Sequence, residues 1–281
     1  MTTNILFLAP PNMRFVDFIS PPRNSKFIPK NGKNYGSILT DMPLGVLSLS
    51  SFLKKHADVK TKLIDFNIII NKLTSFDFNS FIEMYRFFLD EIKDFKPSII
   101  CISSLFSPSY QNMLDISDVC KEIFKDSYVL VGGGVPSNMY RHIFKHNSTI
   151  DAVCYGEGEL PLRDFVLTND KLSLLDSHQS WITKNKVLKN LSFAHTFIDN
   201  LDEIPFYDYN LCNVDDYGLN PAITAYSAVQ EKKQNFHVMT SRGCPFHCCF
   251  CASHSIHGRD MRYYSLERVK EDFSLLKEKH N

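Results

Sequence analysis

The run Ser241-Arg242-Gly243-Cys244-Pro245-Phe246-His247-Cys248-Cys249-Phe250-Cys251 places Cys244, Cys248 and Cys251 at the spacing C-x3-C-x2-C. Cysteines crowded in this way are metal ligands rather than a disulfide framework, which spreads its cysteines and needs an oxidising compartment. Three thiolates can hold three irons of a cubane cluster and leave the fourth iron open to chelate a small molecule, whereas four close the cluster for electron transfer. Zinc is the alternative, with His247, Cys249, His254 or His257 as fourth ligand. Structural zinc sites usually pair two knuckles and the sequence contains no second one, so iron is the favoured metal. The three histidines are then solvated loop positions, and Cys249 is a spare thiol without an assigned role. Cys101, Cys120, Cys154 and Cys212 stand alone and read as small buried apolar residues.

The elements that must position this loop follow from hydrophobic patterning. Asn4–Ala9 is a short apolar run stopped by Pro10-Pro11, as expected for a strand buried on both faces of a parallel sheet. Pro43 opens a helix through Lys55, and Lys62–Phe66 is a second strand. Apolar residues three and four apart from Phe78 to Phe95 predict an amphipathic helix whose aromatic stripe packs in the core. Ser98–Leu105 is a third strand, Tyr110–Phe124 a helix, and Tyr128–Val131 a fourth strand ending in Gly132-Gly133-Gly134. A short helix, a fifth strand at Ile150–Cys154 and the turn Gly156-Glu157-Gly158-Glu159 complete the alternation. This order predicts an α/β fold with a doubly wound parallel sheet. Ligands on such sheets bind at the carboxyl ends of the strands, so the loops after Ala9, Leu105, Val131 and Tyr155 should share one edge.

Residues 171–234 break the rhythm and read as a linker, with a small hairpin over Ser180–Leu188 turning at Lys184-Asn185 and an acidic, aromatic connector at Asp202–Tyr209. Phe236–Thr240 starts a new strand that leads into the cysteine run, and Ser265–Lys279 is helical, with Leu266, Val269, Phe273 and Leu276 on one face. The expected division is 1–170, 171–234 and 235–281. A length of 281 residues suits about two domains. Lysine plus arginine equal aspartate plus glutamate at 31 each, which removes the electrostatic case for a nucleic-acid or anionic-membrane partner. No apolar run approaches the ~18 residues that span a bilayer, and the N-terminus lacks signal-peptide features. A cytoplasmic location is expected.

Cys244, Cys248 and Cys251, with Phe250 directly before the last cysteine, resemble the cluster loop of radical S-adenosylmethionine (radical SAM) enzymes. Ser241-Arg242-Gly243 and Arg262-Tyr263-Tyr264-Ser265 resemble the cobalamin-dependent branch of that superfamily. The resemblance implies a [4Fe-4S] cluster on the three cysteines, S-adenosylmethionine on the open iron with its adenine near Phe250, and an electron donor such as flavodoxin or ferredoxin. The N-terminal loops resemble cobalamin-binding (B12-binding) domains. Ser103-Ser104-Leu105 fits the motif S-x-L, and Gly132-Gly133 follows after the 26 residues 106–131. Gly156-Glu157-Gly158-Glu159, Pro43-Leu44-Gly45 and Leu63-Ile64-Asp65 also match the branch. Ser103, Leu105, Gly132, Gly133, Gly134, Gly156 and Glu157 are thereby implied cobalamin contacts. By patterning alone the half is a small-molecule-binding α/β domain whose ligand is open, and its glycines can equally be a tight strand-to-helix turn.

One departure concerns cobalt. The resembled domains carry a ligating histidine, in D-x-H-x-x-G, after the first strand. Here the first histidine of the chain is His56, so cobalamin is expected without that ligation. The implied activity is methylation of an unactivated carbon in a small-molecule substrate, with ring formation and rearrangement also known in the family; no catalytic residue is assigned. The resemblance further implies that a Rossmann-like cobalamin domain is followed by the first β/α unit of a partial TIM barrel. Complete (β/α)8 barrels take about 200 residues or more, so the chain is expected to be the N-terminal piece of a longer protein. The alternatives are a non-catalytic cobalamin-binding module and a zinc-stabilised binding protein.

Overall fold

A computed structural model describes residues 2–38, 40–217 and 238–280. The strands are β1 (Thr3–Ala9), β2 (Phe27–Lys30), β3 (Lys33–Gly36), β4 (Val59–Asp65), β5 (Ile99–Ser103), β6 (Tyr128–Gly132), β7 (Ala152–Cys154), β8 (Trp181–Ile182), β9 (Ser241–Arg242) and β10 (Arg262–Tyr263). The helices are α1 (Phe15–Ile19), α2 (Leu44–His56), α3 (Phe66–Lys72), α4 (Phe81–Asp90), α5 (Tyr110–Ile123), α6 (Gly134–His146), α7 (Glu159–Leu167), α8 (Lys171–Ser177), α9 (Lys184–Leu188), α10 (His254–His257) and α11 (Leu266–His280).

The main sheet has the order β4-β1-β5-β6-β7-β8, parallel except for the β7–β8 pair. The chain passes from β1 to β4 on one side and then to β5 on the other. This reversal beside β1 is the switch point at which doubly wound folds open a crevice. Strand alternation separates two apolar layers. Leu6, Leu8, Ile100, Ile102, Val129 and Val131 face α3, α4, α5 and α6. Ile5, Phe7, Ile99, Leu130 and Ala152 face α2 and α7 through Val46, Leu53, Leu162 and Phe165.

The aromatic stripe packs in the core as patterning requires, but α4 starts three residues later than Phe78 because Ser80 caps it, its hydroxyl accepting from the Glu83 amide at 3.1 Å. The helix after the glycine turn is longer than expected, at 13 residues. The expected hairpin over Ser180–Leu188 does not form. Trp181–Ile182 instead joins the main sheet at its edge, and Thr183 caps α9 by accepting from the Lys186 amide, so Lys184-Asn185 starts a helix rather than a turn. With α8 and β8, residues 171–182 thus extend the sheet unit. Of the strand expected at Phe236–Thr240, Phe236 and His237 lie outside the described residues, Val238–Thr240 are irregular, and the strand falls at Ser241–Arg242. Helix α11 appears where expected, yet its apolar face is only half covered. Val269 and Leu276 pack, whereas Leu266 and Phe273 are exposed. Among the described residues no helix is long and apolar enough to cross a membrane.

Candidate cofactor site

The loops at the carboxyl ends of β1, β5, β6 and β7 surround a cavity of about 590 Å³, within the size range of small-molecule and cofactor sites. The sheet register explains its floor. Cys101 pairs with Phe7 on one side and Leu130 on the other, and one step further Ser103 pairs with Gly132, all five lining the cavity. Helices α2 and α7 form its apolar wall through Val46, Leu49 and Leu162.

Each loop is fixed by its own chemistry. After β1, the Asn12 amide donates to Asn67 Oδ1 at 2.8 Å, and Asn67 Nδ2 donates to the Pro10 carbonyl at 3.0 Å. Asp65, capping α3, accepts from the Asn67 amide at 2.9 Å and the Tyr217 hydroxyl at 3.2 Å. Burial raises the Asp65 carboxyl above its ordinary value, against the lowering effect of these hydrogen bonds. After β5, Ser104 is fully buried, and its hydroxyl shares a 2.6 Å hydrogen bond with Ser109 while its carbonyl accepts from the Val135 amide at 3.2 Å. The middle residue of Ser103-Ser104-Leu105 therefore holds the turn. Gly133, at φ +103°, lies against it, and a Cβ there would stand 2.6 Å from the Ser104 carbonyl oxygen. That close approach makes glycine necessary at this position.

The fourth wall comes from beyond residue 238. Met239, Arg242, Ile256 and His257 line the cavity together with Glu157 and Glu159 of the turn after β7. Arg242 Nη1 lies 3.1 Å from Glu157 Oε2, and Nη2 lies 2.7 Å from Glu159 Oε1, with all three side chains at most 5% exposed. Glu159 also accepts from the Ser48 hydroxyl at 2.7 Å. Glu157 Oε1 accepts from Arg262 Nη2 at 2.6 Å and from His257 Nδ1 at 2.8 Å. Since an ionised carboxylate can only accept, Nδ1 is the donor in this hydrogen bond. His257 is thus an anchored residue on the cavity wall, not the solvated loop position that its neighbourhood in the sequence suggests.

Burial pushes the Glu157 carboxyl up, but hydrogen bonds from His257 and Arg262 and the charges of Arg242 and Arg262 outweigh it and bring the value to about 2. Glu159 is also lowered, with burial opposing the Arg242 charge and hydrogen bond. A carboxyl depressed on folding contributes stability that is complete above its unfolded value and lost as pH falls through its folded value. Acid titration from pH 4.5 toward about 2 is therefore expected to destabilise the wild type more steeply than Glu157→Gln, as read by urea midpoints at each pH. The groups that face Glu157 in that titration are Arg242, Arg262, His257 and Glu159.

Of the residues implied as cobalamin contacts, Ser103, Leu105, Gly132, Gly133, Gly156 and Glu157 line this one cavity; Gly134 does not, and packs against the Leu105 carbonyl. The cavity fits a bulky cofactor. Gly132 presents open space, with only Cys154 Cβ at 3.7 Å from a Cβ built there. Cys101 and Cys154 line it as well, beyond the packing role expected of them. Burial and nearby Glu159 push the Cys154 thiol up to about 12, so it stays protonated. Sequence reasoning missed Arg242, Arg262 and Glu159 as site residues, because their partners are set by the fold.

The cysteine loop leaves β9 as expected, but its thiols are not gathered. Cys244 is half-buried, Cys248 and Cys251 are exposed, and among the described residues no three His, Cys, Asp or Glu side chains form a metal-holding group. The donor set fits an iron–sulfur cluster in residue type and spacing, not in the placement of the three sulfurs. Phe250 is 89% exposed and lies outside the cavity.

Residues 39–166 match the family model of the B12 binding domain. That stretch, just under half of the chain, resembles a B12-binding domain. Among curated proteins, the chain is similar to an uncharacterized methyltransferase of Pyrococcus horikoshii, with 30% identity over 237 residues covering 84% of this chain and 46% of that protein. The hopanoid C-3 methylase of Methylococcus capsulatus is 27% identical over 199 residues, covering 70% of this chain and 36% of the methylase. The cytidylyl-2-hydroxyethylphosphonate methyltransferase of Streptomyces wedmorensis is 24% identical over 214 residues, covering 67% and 39% respectively. The chain spans less than half the length of each of these relatives. The matched stretch supplies the loops after β5, β6 and β7 that line the cavity, the loop after β1 precedes it, and Met239, Arg242, Ile256 and His257 line the cavity from beyond it.

Proposed function

We propose that this chain is the cofactor-binding part of a cobalamin-dependent radical SAM methyltransferase acting on a small molecule. The observation that carries the reading is the cavity, in which the B12-binding loops and the segments flanking the cysteine loop form one enclosure. The names of the relatives support methyl transfer. When bound, cobalamin would supply a transferable methyl group, and a [4Fe-4S] cluster with S-adenosylmethionine would supply the radical that opens an unactivated C–H bond. The chain's own part is to bind and orient these groups and to exclude water. Ser103, Gly132 and Gly133 let the backbone approach cobalamin, while Leu49, Val46 and Leu162 keep its surroundings dry. Cys244, Cys248 and Cys251 would ligate three irons, and Phe250 would pack on the adenine. Residues 235–281 would begin the partial barrel, and an external flavodoxin or ferredoxin would deliver the electron.

Anaerobic reconstitution with iron and sulfide tests the cluster. The expected outcome is a reducible [4Fe-4S] signal in electron paramagnetic resonance that Cys248→Ala abolishes and that S-adenosylmethionine perturbs. Zinc uptake without iron, or a signal unchanged by the substitution, would reject the radical SAM reading.

A further inference from the structure

We infer that Glu157 is a positioning residue that staples the cysteine loop to the cavity wall, so that filling the cavity stiffens the loop bearing Cys244, Cys248 and Cys251. The coupling rests on reading the cavity as the cobalamin site; the staple itself does not.

An ionised carboxylate has about four lone-pair positions. Glu157 accepts hydrogen bonds from His257 Nδ1 at 2.8 Å, Arg262 Nη2 at 2.6 Å and Arg262 Nη1 at 3.1 Å, and Arg242 Nη1 is ion-paired with its Oε2 at 3.1 Å. The groups it holds straddle the cysteines, with Arg242 before Cys244, and His257 and Arg262 after Cys251.

The neck of the loop is weak without it. Arg242 and Arg262 stand opposite each other in the two-residue antiparallel pair β9–β10. Like charges in that position repel, and the Glu157 carboxylate between them turns repulsion into a bridge. Above the neck the backbone closure is sparse, with the Cys244 amide donating to the Gly258 carbonyl at 3.2 Å. Glu157 therefore ties the neck of loop 243–261, while Asn138 and His195 hold it further along at Ser255, at 2.8 Å and 3.0 Å, and Arg259 Nη1 donates to the Phe246 carbonyl at 2.6 Å within it.

The same side chains form the cavity wall, since Glu157, Arg242, Ile256 and His257 all line it. A ligand that displaces water from this wall strengthens the charge pairs behind it. Occupancy and loop order are then linked, and the linkage is reciprocal.

The test is amide hydrogen exchange on the whole chain, with and without hydroxocobalamin, for wild type and Glu157→Gln, with fluorescence of Trp181 reporting cobalamin occupancy. In the wild type, cobalamin is expected to slow exchange across 243–261 by about fivefold or more, the lower end of ordinary coupling energies. In Glu157→Gln, loop exchange without ligand is expected to be about tenfold faster, selectively over β1, β5 and β6, and cobalamin no longer slows it. If Glu157→Gln fails to fold, Arg262→Gln removes two of the four contacts at a more exposed position and is expected to free the same loop. Wild-type loop exchange in a folded Glu157→Gln overturns the staple. Cobalamin that quenches Trp181 without slowing the wild-type loop overturns the coupling and leaves the cobalamin reading intact. Failure to quench Trp181 removes that reading and the coupling with it, while the ligand-free comparison still decides the staple.

Discussion

Arg242→Met is expected to lower the free energy of unfolding by about 3–5 kcal/mol, the usual cost of removing one partner from a buried ion pair. The guanidinium is 4% exposed and bridges two carboxylates that are themselves 3% and 5% exposed. Its loss is unequal for the two. Glu157 keeps Arg262 and His257, whereas among the described residues Glu159 keeps only the Ser48 hydroxyl. The stranded charge is therefore on Glu159, and Glu159→Gln added to Arg242→Met is expected to recover most of the loss, as double-mutant coupling between contacting residues requires. Urea denaturation of the two single variants and the double variant measures this directly. An Arg242→Met protein within 1 kcal/mol of wild type would show that the network contributes little.

Gly132→Leu is expected to weaken hydroxocobalamin binding by about 10- to 100-fold while the fold is retained, because a side chain that fills the space a ligand needs costs about 1–3 kcal/mol, as overpacking does. Gly132 lies two residues beyond Leu130 on the same strand, so its side-chain direction is that of Leu130, toward the cavity. Apart from Cys154 Cβ at 3.7 Å, a Cβ there meets nothing within 4 Å. The residue has no positive φ, so leucine adds volume without backbone strain. Gly133→Leu is a poorer test, since at φ +103° it would disturb the Ser104 turn itself.

The parts of this fold that are legible in the sequence are the local ones. The apolar run of β1, the period of α5 and the glycine turn after β6 each carry their signal within a few residues, and the structure places them within a residue or two of expectation. The hairpin β2–β3 also carries a local signal. Asn31-Gly32, with φ of 45° and 76°, is an Asn-Gly turn of the kind that closes two-residue hairpins. Elsewhere the information is not local. Glu157 meets Arg262 across 105 residues and Glu159 meets Arg242 across 83, and no spacing rule connects them. The motif Gly156-Glu157-Gly158-Glu159 could be recognised by type, but its partners could not. The cysteine run is the converse case, recognisable by spacing while the structure leaves its thiols apart.

The most direct test of the cavity as a cobalamin site uses the chain's single tryptophan. Trp181 is 1% exposed and lines the cavity, so a corrin bound there would accept its excitation at close range. Titration with hydroxocobalamin is predicted to quench Trp181 fluorescence saturably, at one equivalent per chain. Attenuation that only follows the added absorbance, the same in native and urea-unfolded protein, would contradict it.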